Sequence, residues 1–161
     1  MNTNNHTKSG MLTLLLASMT LTPAVHQARA GDQVPFKGKA TGAAVGLTPD
    51  PNGVILTVEA TGNATQLGQF SREEVVLFNP VTGTLTGTIV FTSANGDQLS
   101  GTVGGGFNSP TTAVGTYTFT GGTGRFAGAS GSADFLLTTT DGVHFSVHFE
   151  GTVSSTGSNK K

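Results

Sequence analysis

From Val34 to Phe149, apolar residues and glycines take every second position in one stretch after another. Val34, Phe36, Gly38 and Ala40 do so, as do Val54, Leu56, Val58 and Ala60, then Leu85, Gly87, Ile89 and Phe91. The rhythm returns at Leu99, Gly101 and Val103, at Tyr117 and Phe119, at Ala133, Phe135 and Leu137, and at Val143, Phe145, Val147 and Phe149. Successive side chains of a strand face opposite ways, so a period of two makes one face apolar and leaves the other polar. A helix needs a period near 3.6, and a chain with 24 glycines and abundant threonine resists one further. The fold class is therefore all-β.

Turn signals divide the chain into eight strands, near 34–41, 54–61, 64–78, 85–92, 98–105, 113–120, 131–139 and 144–153. Asn79-Pro80 with Gly83, Ala94-Asn95-Gly96-Asp97 and Asp141-Gly142 are hairpin turns of the kind that favour positive φ. Thr48-Pro49-Asp50-Pro51-Asn52-Gly53 is expected to stop the first strand, because two prolines remove ladder donors. The third strand is expected to bulge around Gln69–Glu74, which leaves its faces unassigned. Consecutive strands joined by short turns describe a single antiparallel up-and-down barrel, a closed sheet without edges. Its interior is either packed or holds one small ligand. With the apolar parity inward, Phe36, Leu56, Phe91, Tyr117, Phe119, Phe135 and Phe145 are the expected ligand-binding residues.

Residues 1–30 read as an address. A polar start with Lys8, an apolar run from Met11 to Leu21 and a closing Ala28-Arg29-Ala30 form a secretory signal peptide, cleaved before Gly31. The run is too short to span a bilayer, which takes about 20 residues, so no membrane insertion is expected. The domain organisation is thus a signal peptide (1–30), a barrel (31–153) and a disordered tail (154–161), in a secreted or periplasmic protein. Eight basic and nine acidic residues argue against a nucleic-acid partner. The absence of cysteine removes disulfides, thiolate catalysis and cysteine-based metal sites.

The most specific segment is Thr120-Gly121-Gly122-Thr123-Gly124-Arg125-Phe126-Ala127-Gly128-Ala129-Ser130-Gly131. Its glycines permit a tight connection, with Phe126 as a plug between strands six and seven. It resembles the glycine-rich signature shared by allene oxide cyclases and dirigent proteins. Asn63–Gly68 and Ala94–Leu99 are similar to elements of related small secreted bacterial proteins. The resemblance implies an eight-stranded antiparallel barrel, no metal or organic cofactor, and a homo-oligomer, a dimer or trimer. It also implies either cyclisation of a reactive epoxide in an apolar cavity or steering of phenoxy-radical coupling. Where dirigent proteins carry an arginine before the last glycine of the signature, this chain has Ser130.

The polar parity supplies the catalytic candidates Glu59, Asp134, His148 and Glu150. His148 and Glu150 stand about 6.7 Å apart along one strand face, with His144 further off. A metal would need Asp134 from the neighbouring strand as well, so no metal is assigned. Arg72, Glu73 and Glu74 read as a surface charge cluster. The outward faces carry few large apolar residues beyond Ile55, Val90 and Leu136.

Three functions fit these features. One is a barrel binding a small apolar molecule in its lumen. Another is a cofactor-free cyclase or isomerase shaping its substrate there. The third is a structural or cell-surface barrel with no pocket.

Overall fold

The computed structural model describes Met1 and residues 32–154. The signal-peptide reading therefore lies outside the described residues, as do positions 155–161 of the expected tail. Eight strands form a closed barrel in chain order, each antiparallel to the next: β1 (Gln33–Asp50), β2 (Gly53–Ala64), β3 (Gly68–Asn79), β4 (Thr84–Ser93), β5 (Gln98–Ser109), β6 (Thr112–Gly122), β7 (Gly131–Thr139) and β8 (His144–Ser154). β8 closes on β1, with Gly38 opposite Phe149 and Ala43 opposite His144. β8 runs one residue past the expected boundary, and Ser154 is buried there, its hydroxyl accepting from the Ser130 amide.

The alternating rhythm does what it implies: the apolar parity faces the lumen, and the lysines and most threonines and carboxylates of the strands face out. That is the reverse of a membrane barrel, which carries its apolar band outside. Small residues on the inner face let the wall close tightly. Gly62 of β2 lies against the Lys39 carbonyl and Ala40 of β1, and a Cβ added there would collide with that backbone.

Two strands depart from expectation. β1 continues to Asp50, through the segment expected to end it. Beyond Ala44 it pairs with β2 alone, forming a two-stranded ribbon closed by Asp50 opposite Gly53. The next pair in from the turn is Pro49 with Val54, whose backbone groups point away from each other in this alternating ladder. Proline loses no ladder bond on such an open edge. β3 is regular, with no register shift against β2 or β4. The register breaks lie instead in β1, between Ala44 and Gly46, and in the β5–β6 pair, where Thr120 of β6 and Asn108 of β5 are skipped.

The two ends of the barrel differ. At the end holding the β6–β7 connection, Phe36, Phe70, Phe91, Phe119 and Phe149 pack as an aromatic plug. Phe36 meets Phe119 edge-on at 5.0 Å and stacks on Phe149 at 5.3 Å. The glycine-rich segment folds over this end through a single 3-10 turn, Gly124–Phe126, burying Phe126 and Ala129. Thr123 ties it down by exchanging bonds with Gln98: its hydroxyl accepts from the Gln98 amide and its amide donates to the Gln98 carbonyl.

Candidate functional site

A regular β3 continues the two-residue rhythm without interruption, so Phe70, Arg72, Glu74 and Val76 all point into the lumen. Arg72 and Glu74 are 1% and 7% exposed. This corrects the reading of Arg72-Glu73-Glu74 as a surface cluster: only Glu73 faces solvent. Room for the guanidinium comes from its neighbours, since Ala60 lies opposite Arg72 and Gly42 opposite Ala60.

The Arg72 Nη1 donates to the Tyr117 hydroxyl at 3.0 Å. Its Nε lies 3.2 Å from Glu74 Oε1, within ion-pair reach but out of line for a hydrogen bond. Among the described residues, Nε, Nη2 and Glu74 Oε1 therefore have no hydrogen-bond partner. The guanidinium sits over the rings of Tyr117 and Phe145, at 5.7 and 5.3 Å from their centroids. Phe135 stacks on the other partner of this group, Tyr117, at 4.7 Å. Burial pushes the Glu74 carboxyl above its ordinary value, with Arg72 pulling the other way. Burial likewise holds the Tyr117 phenol well above its usual range, against the pull of Arg72.

Above this cluster, toward the mouth opposite the plug, lies a cavity of about 70 Å³. Glu74 and Tyr117 supply its polar groups at the floor, Leu56, Val76 and Val103 part of its apolar wall, and Val143 and Phe145 its rim. The β7–β8 loop holds that rim in place. Asp141 Oδ1 accepts from the amides of Val143 and His144, and its Oδ2 meets His144 Nδ1 at 2.7 Å. These bonds, that of the His144 ring foremost, hold the Asp141 carboxyl far below its ordinary value.

Of the expected ligand-binding residues, Leu56, Tyr117, Phe135 and Phe145 line this cavity. Phe36, Phe91 and Phe119 are buried in the plug instead. The four catalytic candidates all face outward and are exposed. Glu150 pairs with Lys37, Asp134 accepts from Thr116, and His148 sits opposite Lys39 and Leu136. Glu59 lies opposite Glu73 on the outer face. None of the four reaches the lumen. Arg72 and Glu74 were missed because a bulge was assumed where none exists. The parity of Phe70, Val76 and Phe78 was the signal that places them inside.

A closed eight-stranded barrel with an apolar lumen and a buried Arg-Glu-Tyr group places the chain in the class of small closed antiparallel β-barrels. Its fold is that of the dirigent proteins. The pterocarpan synthase dirigent protein GePTS1 matches with a TM-score of 0.59 at 15% identity, covering 86% of this chain and 98% of that one. The pterocarpan synthase dirigent protein PsPTS1 matches with a TM-score of 0.59 at 16% identity, covering 79% of this chain and 97% of that one. No family model and no curated protein sequence matches the chain.

Proposed function

We propose that this is a secreted or periplasmic barrel that binds a small apolar molecule in the open half of its lumen. The cavity carries the reading: an apolar wall, a polar floor and a rim at the mouth are the ordinary composition of a small-molecule site. At about 70 Å³ it is smaller than the roughly 150 Å³ that an apolar cavity offers benzene. A ligand thus enters head first with its remainder toward the mouth, or moves Val143 and Phe145 aside.

A second reading, a cofactor-free cyclase or isomerase, draws on Glu74. A carboxyl raised by burial beside a phenol, inside an apolar cavity, is the arrangement that general acid–base catalysis uses. The two matching dirigent structures are named as pterocarpan synthases, which lends this reading an analogy of fold only.

Native mass spectrometry of the protein from its natural host tests the binding reading. The expected result is the protein mass plus a constant small adduct, lost in Val103→Phe, which fills the cavity. A bare mass, with no heat of binding from any apolar probe, overturns it and favours the packed structural barrel.

A further inference from the structure

We infer that the lumen takes a small apolar acid as its anion, gripped by the Nε–Nη2 edge of Arg72, with Glu74 taking up a proton as the acid enters. The inference rests on the lumen-binding reading and specifies what that site selects. Nη1 is committed to Tyr117, whereas Nε and Nη2 are buried without hydrogen-bond partners among the described residues. These two nitrogens form one side of the planar guanidinium, the side that takes a carboxylate through two parallel bonds. A lone carbonyl satisfies one of them and leaves the other orphaned in a buried site, which is costly.

Glu74 stands at the Nε end of that edge as an ion pair but hydrogen-bonds neither nitrogen, because its Oε1 approaches Nε out of line and is itself unsatisfied. Arg72 lies behind the cavity wall and Glu74 in it, so an entering anion reaches the guanidinium by turning Glu74 aside. Two carboxylates crowded against one buried cation repel each other, which disfavours the charged form of one of them. The incoming anion therefore displaces Glu74 from Arg72, and a proton from solvent converts Glu74 to its neutral acid. One anion and one proton enter together, and no covalent bond to carbon changes.

The groups facing Glu74 are few. Arg72 comes from its own strand and Tyr117 from β6, while its opposites on β2 and β4 are Val58 and Ile89. Toward β7 and β8 the cavity presents Thr139, Val143 and Phe145. Asp141 in the loop and His144 at the start of β8 are exposed at the mouth. The wall of Leu56, Val76 and Val103 takes the apolar remainder of the acid.

The probes are sodium hexanoate and its neutral isostere hexanamide, added to the folded protein. Tyr117 is the only tyrosine and there is no tryptophan, so intrinsic emission reports on this site alone. Hexanoate is expected to bind at least about tenfold more tightly than hexanamide near pH 6. Its affinity is expected to fall by up to about tenfold per pH unit once Glu74 is ionised in the free protein. Glu74→Gln is expected to keep the preference for the acid and lose that slope. The double variant Arg72→Met/Glu74→Met, which leaves no buried charge behind, is expected to lose hexanoate and keep hexanamide. Equal affinity for the two probes in the wild-type protein overturns the acid assignment while leaving lumen binding intact. Hexanoate binding that does not change from about pH 5.5 to about pH 8.5 overturns the proton uptake. Failure of both probes to bind overturns the acid assignment and the lumen reading together.

Discussion

A buried arginine with two orphaned nitrogens is the least comfortable residue of this barrel, and its cost is open to measurement. Arg72→Met alone leaves Glu74 in the lumen with no counter-charge, and breaking a buried pair in this way costs about 3–5 kcal/mol. Removing both charges in Arg72→Met/Glu74→Met is expected to be neutral or stabilising, by up to about 4 kcal/mol. Urea unfolding at neutral pH checks both. The sign of the pH dependence follows from Glu74. Its folded pKa lies above the ordinary 4.5, so the folded state holds a proton that the unfolded chain has released. Stability is accordingly full below that ordinary value and declines as pH rises through the raised folded value. Glu74→Gln is expected to abolish that decline, and unchanged curves for variant and wild type would show that Glu74 titrates normally. At this scale the sequence was only partly legible. Alternation identified Tyr117 as a lumen hydroxyl, but a charged Arg-Glu-Glu run reads as solvent-facing unless the strand parity is trusted over the charge.

Individual strands were more legible than their ends. Seven of the eight strand centres follow from alternation, and the glycines of the β6–β7 segment encode the tight connection that buries Phe126. β1 overran its expected end because a proline rule for central strands does not apply to a ribbon whose outer side is unpaired. The β7–β8 loop was legible only as a turn. Its Asp141 clasp is made by side-chain bonds to following amides, which the dipeptide Asp-Gly does not reveal. Asp141→Ala is expected to raise hydrogen exchange at the Val143 and His144 amides and to loosen the rim of the cavity. Because the folded pKa of Asp141 is depressed, the clasp contributes stability above its ordinary value of 3.8 and loses it as pH falls further. The stability gap between wild type and Asp141→Ala is therefore expected to close in acid. On β2, Gly62→Ala would press a methyl group into the β1 backbone, and overpacking of this kind costs about 1–3 kcal/mol.

For the molecule as a whole, the barrel divides into a closed, plugged half and an open half that carries the cavity. The aromatic plug, the 3-10 turn, the start of β1 and the end of β8 sit at one end; the cavity, the β1–β2 ribbon and the Asp141 clasp sit at the other. Composition and periodicity predict a barrel but are blind to this division, since phenylalanines at both ends share one parity. Only the register, which sets Phe36 among Phe91, Phe119 and Phe149 and leaves Phe145 at the rim, separates packing from lining. The division predicts unequal costs for the same substitution. Phe36→Ala removes a fully buried ring touching several others, and is expected to cost about 3–5 kcal/mol. Phe145 is half-buried, so Phe145→Ala forfeits only part of the transfer free energy of a ring and is expected to cost less than about 2 kcal/mol. It also enlarges the cavity from its present 70 Å³ toward the roughly 150 Å³ that accepts benzene. Uptake of benzene by Phe145→Ala but not by the wild-type protein, read from Tyr117 emission and from a rise in melting temperature with ligand, is the expected outcome. Equal destabilisation by the two substitutions, with no benzene bound, would mean that the open half is packed like the closed one.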